Sequence, residues 1–94
     1  MASRVVVRIR ILPAEADSDL DNIIDGLKNK IPKDMQLKAH AKEPIAFGLQ
    51  AIIADFLIND EEGQIDTLED SIKTTEGVGE IEIINISRQF VKTT

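Results

Sequence analysis

Residues 43–58, E-P-I-A-F-G-L-Q-A-I-I-A-D-F-L-I, decide how this chain folds, because two strand-like runs meet inside them. Before the stretch, Met35, Leu37, Ala39 and Ala41 alternate with Gln36, Lys38, His40 and Lys42. Period-two alternation marks a half-buried strand, here with small residues on the inner face and polar ones, His40 among them, outward. Within it, Leu49 to Ile58 is apolar except for Gln50 and Asp55, which suits a central strand covered on at least part of both faces. Phe56 reads as core. The join between the two runs is unusual. A turn made only to reverse direction favours Asn, Asp, Gly or Ser. Here Pro44 fixes φ and lacks an N–H, Gly48 permits a positive φ, and Ile45, Ala46 and Phe47 between them are apolar. Connecting segments run over the surface. Such a triplet is either tucked back into the core or shown to something. Large apolar groups are usually inside, so the residues alone favour the tuck.

Working outward, Val5, Val7, Ile9 and Ile11 share one face and Arg4, Arg8 and Arg10 the other, with only Val6 and Leu12 out of pattern. This is a strand, and Pro13, which cannot donate to a ladder, ends it. Ser18 or Asp19 can cap a helix whose positive end suits Asp17, Asp19 and Asp21. Leu20, Ile23, Ile24, Leu27 and Ile31 form its apolar stripe, Lys28 and Lys30 sit at its negative end, and Pro32 forbids continuation. Beyond the central stretch, Asn59-Asp60-Glu61-Glu62-Gly63 reads as a solvated acidic turn that lacks the ligand spacing of a calcium loop. Ile65, Leu68 and Ile72 mark a second helix, with Asp66, Glu69 and Asp70 outward and Gly77 suited to a left-handed cap. A last strand runs from Ile81 to Ile86. Its apolar parity shifts between Ile83 and Ile84, which predicts a bulge or cover on both sides. Val91 to Thr94 is expected to be a loose tail. The order is β-α-β-β-α-β, and one apolar stripe per helix puts both helices on the same face of a four-stranded antiparallel sheet. That is the α+β, ferredoxin-like sandwich, with the first and third strands in the middle.

Composition narrows the function. Ninety-four residues suit one domain, 1–94, and 43% hydrophobic with 30% charged residues is globular. There is no cysteine, one histidine, and no apolar run long enough to span a bilayer. Met1-Ala2-Ser3-Arg4 leads straight into a strand pattern, so a cytoplasmic protein without a secretory signal is expected. A net charge of −6 repels phosphate backbones, and three Phe without Tyr or Trp offer few stacking platforms. No Ser–His–Asp set, Gly-rich phosphate loop or His–carboxylate pair is present, so no catalytic residue, metal site or cofactor is expected. Arg4, Arg8 and Arg10 form a basic stripe on the sheet's open face, read first as a charged outer face that deters aggregation.

The run P-I-A-F-G-L at Pro44–Leu49 resembles the signature of the archaeal elongation factor 1-beta family, relatives of the catalytic domain of the eukaryotic exchange subunit. The likeness extends to V-V-V-R-I-R-I-L-P at Val5–Pro13, K-I-P at Lys30–Pro32, D-E-E-G at Asp60–Gly63, E-G-V at Glu76–Val78 and the final strand. It implies a guanine nucleotide exchange factor that binds elongation factor 1-alpha, GDP-bound and then nucleotide-free, and speeds GDP release without covalent chemistry. GTP then loads and aminoacyl-tRNA is delivered. The resemblance makes Phe47 the aromatic that anchors the partner, with Pro44, Ile45, Ala46 and Gly48 shaping the loop. Eukaryotic members end with a lysine inserted near the magnesium and phosphate site of the GTPase. This chain ends R-Q-F-V-K-T-T, which makes Lys92 and Arg88 the candidates for that role. Two alternatives share the fold. An RNA-binding sheet wants exposed aromatics that the middle strands lack. A small enzyme such as an acylphosphatase needs an Arg in a phosphate-cradling loop, where residues 12–16 are apolar and acidic; a ligand-sensing module normally works as a dimer.

Overall fold

The computed structural model describes residues 3–89 as β1 (Arg4–Pro13), α1 (Leu20–Lys30), β2 (Gln36–Pro44), β3 (Gln50–Asn59), α2 (Gln64–Lys73) and β4 (Val78–Gln89). One sheet has the order β2-β3-β1-β4 with every neighbouring pair antiparallel. The β-α-β-β-α-β ferredoxin-like arrangement is therefore the observed one, and β1 and β3 are central. Each helix connects two strands that follow one another in sequence but are not neighbours in the sheet, so each connection must cross over one strand, and right-handed crossovers place β1 and β3 side by side.

Alternation in β1 and the continuous apolar run of β3 become a core in a simple way. Val5, Val7, Ile9 and Ile11 meet Ile52, Ala54, Phe56 and Ile58 across the β1–β3 ladder, all of them buried. Leu20, Ile23, Ile24 and Leu27 of α1 and Leu68 and Ile72 of α2 close over that surface. Each large aliphatic group so buried contributes roughly 1.5–3 kcal/mol. On the opposite, open face Ala51 is also buried and Ile53 and Leu57 are half-buried, so β3 is shielded on both sides. The N-terminus of α1 is capped by Asp19, whose Oδ1 accepts the Asp21 N–H at 3.0 Å. Gly77 takes φ 90°, in the turn leading to β4 rather than at the helix cap itself, which is Thr74. A side chain at position 77 would lie 2.9 Å from Ile23, so both backbone and packing require glycine there.

The two edge strands repay separate reading. In β4, Arg8 opposes Asn85 while Ile9 opposes Ile83, so Ile84 is the extra residue of a bulge, where the parity shift predicted one. The strand is longer than expected, from Val78 to Gln89. In β2 the expected small-residue inner face is overturned. Leu37 opposes Phe56 and Ala39 opposes Asp55, which leaves Lys38 as an extra residue. Beyond it the faces exchange. Ala39, Ala41 and Glu43 lie on the open face, and His40 and Lys42 lie on the helix side, still exposed at the sheet's margin. The exchange lets Lys42 Nζ reach Asp21 Oδ1 of α1 at 3.2 Å and Glu43 reach Arg10 of β1. Both edges are thus bulged, which discourages pairing with another sheet. No helix of the described residues is long and apolar enough to cross a membrane.

Candidate functional site

The β2–β3 hairpin closes at one end of the sheet, where Pro44 pairs with Gln50. Beyond that pair the Ile45 N–H donates to the Leu49 carbonyl at 2.8 Å, and the Leu49 N–H donates to the Ala46 carbonyl at 3.2 Å. These bonds leave Phe47 and Gly48 as the central residues of a tight turn, at φ 62° and φ 75°. Two successive positive φ values have the hand of type I′ turns, which match the right-handed twist of the flanking strands. Such turns usually hold Asn-Gly. Here the first position is a phenylalanine, the one non-glycine residue at positive φ among those described. A bulky L-residue in that region costs roughly 1–2 kcal/mol.

The strain buys no burial. The Phe47 ring is 99% exposed, and nothing lies within 4 Å of where a Gly48 side chain would begin. The tuck that the residues alone favoured does not occur. Ile45 and Leu49 are half-buried at the base of the turn, while Pro44, Ala46 and Phe47 stand in solvent. All five residues assigned to the partner-binding loop, Pro44 to Gly48, are therefore together at one tip, and no polar side chain interrupts them.

On the open face beside the tip, a groove of about 580 Å³ is lined by Arg10, Leu12, Glu43, Ile45 and Glu80 to Glu82. Arg10 spans it, with Nε 3.1 Å from Glu43 Oε1 and Nη1 2.9 Å from Glu82 Oε1. Further along, Arg8 grips Asp55 through two bonds, Nε to Oδ1 at 2.8 Å and Nη2 to Oδ2 at 3.1 Å. The hydrogen bond from Arg8 holds the Asp55 carboxyl below its ordinary value of 3.8, against the opposing effect of burial. Arg8 and Arg10 of the stripe are thus engaged with carboxylates of β2, β3 and β4. They offer an RNA backbone little, and no aromatic ring accompanies them on β1 or β3 of this face. The cross-strand set Arg10, Glu43 and Glu82 was invisible in the sequence, since seeing it requires the registers of two strand pairs at once.

Arg88 lies elsewhere. It opposes Val5 on β4, level with Ile58 on β3, and its Nε is 3.2 Å from Asp60 Oδ2. From Ile58 to Gln50 the strand covers roughly 26 Å at about 3.3 Å per residue, and Phe47 projects further still. Arg88 and Phe47 therefore occupy opposite ends of the sheet. Lys92 lies outside the described residues. Among the described residues no group of three or more His, Asp or Glu is placed to hold a metal ion.

Comparison with known proteins matches this architecture and loop to a family. Residues 6–88 match the EF-1 guanine nucleotide exchange domain. Elongation factor 1-beta of Thermoplasma acidophilum is 39% identical over 83 residues, 88% of this chain and 94% of that protein. Elongation factor 1-beta of Methanosarcina mazei is 36% identical over 85 residues, 89% of this chain and 96% of that protein. Among solved structures, the ACT domain from GTP pyrophosphokinase of Chlorobium tepidum superposes on 84% of this chain and 96% of its own with a TM-score of 0.57 at 20% identity, a likeness of fold alone. A domain match from the third residue of β1 to the last but one of β4, with archaeal relatives aligned along nearly their whole length, means that this chain belongs to the elongation factor 1-beta family of guanine nucleotide exchange factors.

Proposed function

We propose that the chain acts on elongation factor 1-alpha, binding its GDP form, releasing GDP and holding the nucleotide-free form until GTP loads. The observation that carries this reading is the Phe47 ring, fully exposed on a strained turn that gains nothing from it in the isolated chain. Backbone strain of this kind persists where the surrounding structure over-determines it, and it concentrates at ligand clamps and switch regions. A rigid hairpin also presents the ring at little cost in conformational entropy when a partner receives it.

No bond need be made or broken. A protein that prefers the nucleotide-free form of its partner weakens the nucleotide by the same coupling free energy. A thousandfold loss of GDP affinity needs about 4 kcal/mol of such preference. Burying one phenyl ring supplies roughly 1.5–3 kcal/mol of binding, so the tip is the anchor and other contacts supply the remainder. Arg88 and Lys92, at the other end of β4 and in the segment after it, are the cations for the partner's metal and phosphate site. Arg88 would exchange Asp60 for that site. A partner engaged by both regions is spanned over roughly 30 Å, so one group of contacts can hold while the other distorts the nucleotide pocket.

The test is release of fluorescent GDP from elongation factor 1-alpha, timed with increasing amounts of this protein. Acceleration that saturates, and that is lost in Phe47→Ala while the fold persists, supports the reading. A variant that folds and accelerates release normally defeats it. Lys92→Ala separates the two roles: it is expected to lower the limiting rate while leaving the concentration needed for half-saturation nearly unchanged.

A further inference from the structure

At the end of the sheet away from Phe47, where α1 runs out and β2 begins, the surface changes character. Lys28, Lys30, Lys33 and Lys38 stand against one acid, Asp34, so residues 28–38 carry +3 and the rest of the chain holds −9 of the overall −6. Within this segment lies a groove of about 480 Å³ whose floor is Ile31, Pro32, Met35 and Leu37 and whose rim carries two of the lysines, Lys28 and Lys33. The described cations Arg8, Arg10, Lys42 and Arg88 are each bound to carboxylates, whereas Lys28, Lys30 and Lys33, like the isolated Arg4 and Lys73, have no ion pair among the described residues. The negative end of α1 accounts for Lys28 and Lys30. It does not account for Lys33, which lies beyond the helix, or for the apolar floor between the lysines.

We propose that this groove is a second docking surface, which takes an acidic, aliphatic-bearing peptide segment of a partner protein. Charge complementarity selects the occupant. In a protein of net charge −6, a locally positive groove attracts an anionic group that the remaining surface repels, which makes the site selective in position as well as sign. The floor then selects between anions. It holds aliphatic side chains and no aromatic ring, so it can bury leucine or isoleucine but gives nucleic-acid bases nothing to stack on. The site lies far from the hairpin tip, so occupation of the groove and use of Phe47 are compatible.

The proposal goes beyond the exchange reading and is tested separately from it. The isotope-labelled full chain is titrated with a synthetic peptide of alternating glutamate and leucine, in parallel with polyglutamate of equal length and a short single-stranded RNA. Amide shifts centred on Lys28, Lys33 and Leu37 that saturate with the first probe, at least tenfold more tightly than with the other two, support the proposal. Weakening is also expected as salt rises from about 50 to about 300 mM. Lys28→Glu and Lys33→Glu, both at exposed positions, are each expected to cost roughly five- to tenfold in affinity, with the unfolding midpoint unchanged in Lys33→Glu and slightly lowered in Lys28→Glu, which puts an anion at the negative end of α1. Equal response to polyglutamate or to RNA, shifts centred elsewhere, or no saturable shift would overturn it. So would loss of GDP release activity in the two variants, because the groove would then belong to the exchange interface. Failure of Phe47→Ala to affect exchange leaves these readouts untouched.

Discussion

Phe47 and Phe56 lie on the same hairpin and have opposite fates. Phe56 is fully buried between the sheet and the helices, opposite Val7 on β1, and Phe47 is fully exposed at the tip. Residue type cannot account for the difference. The register of β3 can: it points residue 56 at the core and carries the chain past the last strand pair before residue 47 is reached. Buried, a ring supports the fold; held out on a left-handed backbone, it is available only to another molecule. On the proposed reading, the pair separates what keeps this protein folded from what it offers a partner.

The sharpest way to break that comparison is to remove each ring in turn. Phe56→Ala is expected to cost about 3–5 kcal/mol of stability, measured by denaturant unfolding, because it opens a cavity in a core that no neighbour can fill. Phe47→Ala is expected to leave that midpoint nearly unchanged while slowing GDP release from the partner about ten- to a hundredfold at limiting concentration, the range that losing 1.5–3 kcal/mol of contact implies. If the stability losses come out alike, the two rings are not doing different work.

A smaller effect sharpens the point about backbone. Phe47→Gly removes the ring and the steric cost of positive φ together, so the unfolding free energy is expected to rise by up to about 1 kcal/mol relative to Phe47→Ala, with exchange equally impaired. Gly48→Ala has open space around it but the wrong backbone region, and it is expected to lose about 1 kcal/mol. The smallest effect concerns the open face. Asp55 is held below its ordinary value of 3.8 chiefly by the hydrogen bond from Arg8. Its contribution is fully present above that value and fades as pH falls through the lowered one. Asp55→Asn should therefore flatten the acid limb of a stability–pH curve and leave neutral-pH exchange alone, since it lies away from the tip.

How much of this could be read beforehand depended on which residues carried the pattern. The stripe Leu20, Ile23, Ile24, Leu27 and the alternation Val5 to Ile11 use large, branched groups whose exposure would be costly, so their spacing records burial faithfully. The bulge at Ile84 was legible for the same reason, because two isoleucines out of phase cannot both face the core of a regular strand. The bulge at Lys38 was not. The alternation after it rested on Ala39 and Ala41, whose small side chains can sit on either face at little cost, and the real constraint came from Asp21 and Arg10 on other elements. At the tip, Pro44 and Gly48 announced a special turn, yet apolarity alone pointed Ile45 to Phe47 inward.

The sequence by itself determined the order of elements, the two central strands and the identity of the core, because hydrophobic spacing is a local record of which side faces away from water. Tertiary structure alone decided the face of β2, the partners of Arg8 and Arg10, and the exposure of Phe47. Each of those depends on register between strands distant in sequence, or on a backbone dihedral that no periodicity encodes.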